Sequence, residues 1–184
     1  MESVEKGGDP KSRVTIIFTD KYGYDRMESY KLNVLAEILD IKLIEVLREE
    51  KSGVYGAGAS SSMTQYPYEH YSFRVAFPCS PDNVEELTQA TFDIIRKLKE
   101  EGPDEKDLNK VKETLRRERE ENLDKNGYWL SVLNTYYFNK EDPRETLKYE
   151  ERIQSITRED VKETARKYLK KDDYIQVVLY PELE

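Results

Sequence analysis

The chain has 184 residues, 30 of them Lys or Arg and 38 Asp or Glu, a formal net charge of −8 that disfavours nucleic acid or an anionic membrane as partner. That length supports one domain around one core, and 14 Tyr, 5 Phe and one Trp separate it from acidic disordered chains. One His (His70) and one Cys (Cys79) are too few for a self-contained zinc site and exclude an intrachain disulfide.

Residues 1–12, MESVEKGGDPKS, read as a polar lead-in without a signal peptide, and residues 13–181 as a single domain. Arg13 to Thr19, RVTIIFT, is β-branched and aromatic, which predicts a strand. From Asp25 to about Glu50 apolar residues recur mostly three or four apart without Gly or Pro, predicting one long helix closed by Ser52-Gly53. The small, hydroxylated VYGAGASSSMTQYPY follows, and then EHYSFRVAF, where Tyr71, Phe73, Val75 and Phe77 alternate with more polar residues. Period two across a Tyr-Pro-Tyr turn predicts an antiparallel hairpin with one buried face.

Ser80 is positioned to cap a second helix, with Pro81 in its first turn and Gly102-Pro103 at its end. A third is expected from Asp104 as far as Phe138, with Gly127 its weak point. Pro143 opens a short helix to about Ile153, and Thr157 with Asp160 opens another on a capping-box pattern. Tyr174 to Tyr180, YIQVVLY, is the final strand. This order predicts an α+β fold, with about four or more strands in an antiparallel or mixed sheet and long helices packed on one face. No apolar run approaches the roughly 20 residues of a membrane span.

Chemistry concentrates in Leu47 to Tyr55, LREEKSGVY. Arg48 falls in the last helical turn and Tyr55 at the start of a strand, so a turn through Gly53 brings guanidinium and phenol toward each other. Presented beside an unpaired strand edge, such a pair hydrogen-bonds the carbonyls of an extended peptide and stabilises a developing oxyanion. The competing interpretation is ordinary: a cation complements the helix C-terminus and a strand tyrosine packs. His70 fits a hydrogen-bonded or solvated histidine and Cys79 a small packing residue. KETLRRERE is a solvated face, and Tyr128, Trp129, Tyr136, Tyr137 and Phe138 suit core or a domain interface.

LNVLAEILDIKLIEVLREEKSGVYGAGASSS resembles the C-terminal half of zinc metallopeptidases of the pitrilysin and insulinase family, the inverzincins. Their L-R-E-x-x-x-x-x-Y phrase stands here as Leu47-Arg48-Glu49 followed by Tyr55. Further matches run through EELTQATFDIIRKLKEEGPDEKDLNKVKETLRRERE, NGYWLSVL and ITREDVKETARKYL, with wording nearest the bacterial PQQ-type zinc proteases. The resemblance implies a metallohydrolase-like domain from the half that lacks H-x-x-E-H. The zinc of the parent enzyme is then held by an N-terminal half, on the same chain or a partner subunit, and none is bound here. By the same match Arg48 holds the backbone of a peptide substrate, Tyr55 hydrogen-bonds the scissile carbonyl, and Gly56, Ala57 and Gly58 leave room for the bound chain. The alternative within this fold is a non-catalytic peptide-binding or structural subunit. The parent's compartment is expected to be the periplasm or cell envelope, with the cytoplasm as the other option.

Overall fold

The computed structural model describes residues 2–5, 11–51, 54, 56–170 and 173–182. Among these described residues five strands form one mixed sheet in the order β1-β5-β2-β4-β3. The central strand β2 (Ser12–Lys21) pairs antiparallel with β4 (His70–Cys79) and with β5 (Tyr174–Tyr180), and β3 (Gly58–Thr64) pairs antiparallel with β4 at one edge. Period-two alternation sends Val14, Ile16 and Phe18 to the same face as Phe77, Val75 and Phe73, their cross-strand partners, and all six are buried. Arg13 and Arg74 project from the opposite face and are exposed.

Helices cover the apolar face. α1 (Arg26–Leu43) buries Leu32, Leu35, Leu39 and Leu43 and packs against β3. α2 (Val84–Glu101) buries Leu87, Thr91, Ile95 and Leu98, a spacing of three and four that makes one stripe. α3 (Glu105–Leu123) packs on α1. α4 (Asn126–Phe138) and α5 (Tyr149–Ser155) follow, and α6 (Arg158–Tyr168) packs against both α1 and α2. A polar relay joins three of these elements: the buried Tyr71 phenol donates to the Tyr168 carbonyl at 2.9 Å, and the Tyr168 phenol donates to Glu28 at 2.8 Å. Burial works against the Glu28 carboxylate, but hydrogen bonds from Lys167 and Tyr168 outweigh it and hold its pKa below the ordinary value.

The differences from expectation have local causes. Glu2–Glu5, inside the stretch read as a polar lead-in, forms β1 and pairs parallel to β5, with Val4 opposite Leu179. Such pairing uses main-chain groups, so it needs no apolar alternation. The first helix is capped by Asp25, which accepts from the Glu28 amide at 2.8 Å, but its last turns, Ile44–Glu50, are π-helical. Buried Leu39, Leu43 and Leu47 recur every four residues, which drifts around a helix of 3.6 residues per turn; the wider turn keeps Leu47 on the buried face. Ser80 makes no side-chain cap; Pro81–Asn83 is a 3₁₀ turn before α2. The long third helix breaks at Asp124-Lys125, before Gly127, where the Lys125 amide bonds the Asn122 carbonyl and the Trp129 indole donates to the Leu123 carbonyl at 2.6 Å. Pro143–Lys148 is likewise 3₁₀ before α5.

The capping box at α6 is formed in both directions: the Asp160 amide donates to Thr157 Oγ1 at 3.1 Å and the Thr157 amide to Asp160 at 2.9 Å. Burial opposes the Asp160 charge, but Thr157 and Lys31 outweigh it and bring its pKa from 3.8 to about 2. A depressed carboxylate pKa stabilises the fold above the unfolded value and loses that contribution as pH falls through the folded one. Asp160→Asn is therefore expected to lower stability at pH 7 by about 1 kcal/mol. In urea titrations its difference from the parent should close between pH 3.8 and about 2.

Candidate functional site

Arg48 lies within the π-helical segment and is exposed, one residue after buried Leu47. Among the described residues no acidic side chain pairs with its guanidinium. Beyond the segment the chain is pinned twice: Val54 is buried, and Ala57 packs against the core. Lys51, which ends the segment, bonds its amide to the Val46 carbonyl at 3.1 Å and its ammonium to Glu86 at 2.6 Å. Tyr55, together with Ser52 and Gly53, lies outside the described residues.

Gly56 and Ala57 belong to no helix or strand, and a Cβ on Gly56 would meet nothing within 4 Å. Gly58 opens β3, and a Cβ there would stand 3.5 Å from Asp40 Oδ1, an ordinary contact. Gly56 thus faces open space, and Gly58 would accept a Cβ in contact with Asp40, so neither position demands glycine. The neighbouring Ala59 amide donates to the same Asp40 oxygen at 3.0 Å. Asp40 is the residue that sequence reasoning missed. Its one signal was a carboxylate inside the apolar run Ile38-Leu39-Asp40-Ile41, which points to a local polar partner.

The remaining chemically capable side chains are structural. His70 Nδ1 lies 2.9 Å from the Tyr68 carbonyl. Burial pushes the Cys79 thiol up to about 11, away from nucleophilic use. Of the aromatic stretch in α4 Tyr136 is buried, whereas Leu130, Tyr137 and Phe138 are exposed. Among the described residues no group of three or more His, Cys, Asp or Glu side chains is placed to hold a metal ion. The donor set does not fit zinc, and no step of zinc chemistry is assigned to these residues.

Residues 2–115 match the family described as Peptidase M16 inactive domain, and the chain belongs to that family. A curated relative from Haemophilus influenzae, "Probable zinc protease PqqL", is 27% identical over 163 residues, 89% of this chain and 18% of the relative. "Zinc protease PQQL-like" from Arabidopsis thaliana is 28% identical over 58% of this chain and 12% of its own length. The chain thus spans less than a fifth of these relatives. Among solved structures, the periplasmic protease PqqL from Escherichia coli superposes with a TM-score of 0.83 at 20% identity, covering 98% of this chain and 20% of that one. An M16 inactive domain from Pseudomonas fluorescens gives 0.83 at 17% identity, covering 99% of this chain and 43% of that one. These likenesses establish the fold.

Proposed function

We propose that this chain is the substrate-binding, C-terminal-half domain of a zinc-dependent metalloendopeptidase. In this reading it lends Arg48 and Tyr55 to a zinc site carried by an N-terminal half, on the same chain or a partner subunit. The observation that carries it is the exposed Arg48 guanidinium, presented at a helix end ten residues before β3, an edge strand with no strand paired to its outer side among the described residues. A guanidinium supplies charge-assisted hydrogen bonds to peptide carbonyls, and the open edge supplies main-chain ones. Tyr55 donates its phenolic proton in a hydrogen bond to the scissile carbonyl, and Gly56, Ala57 and Gly58 give the peptide clearance. The names of the curated relatives support zinc in the parent, and the description of the Escherichia coli protein as periplasmic supports an envelope location.

Arg48→Ala in the full-length parent is expected to raise KM by roughly 10- to 100-fold, the equivalent of one charge-assisted hydrogen bond, with a much smaller fall in kcat. An unchanged KM for peptide cleavage removes Arg48 from substrate binding. The second reading, a non-catalytic peptide-binding or structural subunit, draws support from the family's description as an inactive domain. Absence of H-x-x-E-H from the rest of the parent favours that reading; its presence favours the first.

A further inference from the structure

On the β5 side of β2, away from the strand that Gly56 to Gly58 lead into, the last turns of α2 and α6 meet the sheet around a cup of about 710 Å³. Its apolar wall is Phe18, Phe92, Ile95, Leu169 and Tyr174. Phe18 and Ile95 are buried and make the floor, whereas Phe92 is half-buried and Tyr174 is 38% exposed, so two rings reach the opening. The Tyr174 ring lies between the phenylalanines, its centroid 4.9 Å from that of Phe92 and 5.7 Å from that of Phe18. Concave sites of roughly 300–1,000 Å³ with aromatic walls and a few polar groups are the usual form of a small-molecule site.

The two guanidiniums on the rim are already engaged. Arg96 pairs with Asp93 at 2.9 Å, and Arg166 donates to the Lys99 carbonyl at 2.7 Å and pairs with Glu163 at 2.7 Å. Lys99 differs. Its side chain is half-buried and its ammonium donates to the Leu169 carbonyl at 3.0 Å, but among the described residues no carboxylate pairs with it. An ammonium has three donors, so two are left beside an apolar wall that displaces part of their water.

We infer that this cup binds a small aromatic carboxylate, its ring against Phe92 and Tyr174 and its carboxylate on the free donors of Lys99. Phe92 and Lys99 are seven residues apart on α2, two turns along one face and about 10 Å along the axis, which is the span of a two-ring acid. The rings supply offset or edge-on aromatic contact, and the ammonium supplies a charge-assisted hydrogen bond in a partly dry setting. One unpaired cation, with Asp93 and Glu100 also on the rim, suits a single negative charge and disfavours a dianion such as a phosphate monoester. Such a site works independently of Arg48 and Tyr55, whose proposed role neither supports it nor depends on it.

The test is an amide-resolved NMR titration of the 184-residue chain with 2-naphthoate, and with 2-naphthamide as an uncharged ligand of the same shape. The acid is expected to bind with a dissociation constant of roughly 0.1–1 mM, ordinary for a ligand of about 13 non-hydrogen atoms, and to shift the amides of Phe92, Ile95, Lys99 and Tyr174. The amide is expected to bind at least about tenfold more weakly, for want of the charge-assisted bond. Lys99→Arg should keep the preference for the acid, Lys99→Gln should abolish it, and Phe92→Ala should weaken both ligands. Equal affinity of the unmutated chain for acid and amide overturns the proposal, and that comparison needs no variant to fold. Shifts confined to residues outside the cup, or none at about 10 mM acid, overturn it as well.

Discussion

In the full-length parent Tyr55→Phe is expected, under the proposed function, to lower turnover by roughly 10- to 1000-fold with zinc content unchanged, the effect of losing one donor to a developing oxyanion. Phenylalanine keeps the ring and removes the hydroxyl, so the change isolates the hydrogen bond from packing. A phenol that bonds the carbonyl more strongly as negative charge grows contributes to kcat more than to KM. Arg48→Ala is expected to show the opposite signature, because a guanidinium that bonds substrate backbone, as proposed, acts equally before and during the reaction. Steady-state kinetics with metal analysis of each variant decide the matter, and near-parental turnover of Tyr55→Phe removes the phenol from the mechanism.

Phe73→Ala unfolds the domain more readily by about 3–5 kcal/mol, out of a total of roughly 5–15 kcal/mol for a domain of ordinary stability. Phe73 is fully buried on β4, opposite Phe18 of β2 and Ser61 of β3, so truncation leaves a void at the junction of three strands. Urea unfolding of this chain measures the change. A loss under about 1 kcal/mol is incompatible with a close-packed side chain at that position.

The elements that were legible in the sequence are those that bury one face. RVTIIFT, the Tyr71-to-Phe77 alternation and YIQVVLY announce strands because the sheet has a wet side and a dry side, and the observed strands, β2, β4 and β5, extend those spans by at most three residues. The Thr157–Asp160 box was legible because its chemistry is local. β1 was not, because ESVE is held by main-chain bonds to a strand at the far end of the sequence. The π-helical turns were hidden for a related reason: a spacing of four apolar residues suits an α-helix until three repeats accumulate. At the site, helix length and the position of Arg48 came from apolar periodicity. The pairing of Arg48 with Tyr55 rests on the turn through Gly53 and on a family resemblance, with Tyr55 outside the described residues, and Asp40 escaped both, since its partner is a main-chain amide 19 residues away.

The position of β2 at the centre of the sheet has a consequence for biosynthesis. Its neighbour on one side, β4, follows soon after it in the chain, but its neighbour on the other, β5, is made only after α1 to α6. Until then Val14, Ile16 and Phe18 belong to a strand with one finished flank and one raw one. The open flank of a nascent chain is where misassembly begins, and pairing across nearly the whole sequence is slow to form. A truncation that removes Tyr174–Tyr180 leaves that flank of β2 without its partner strand.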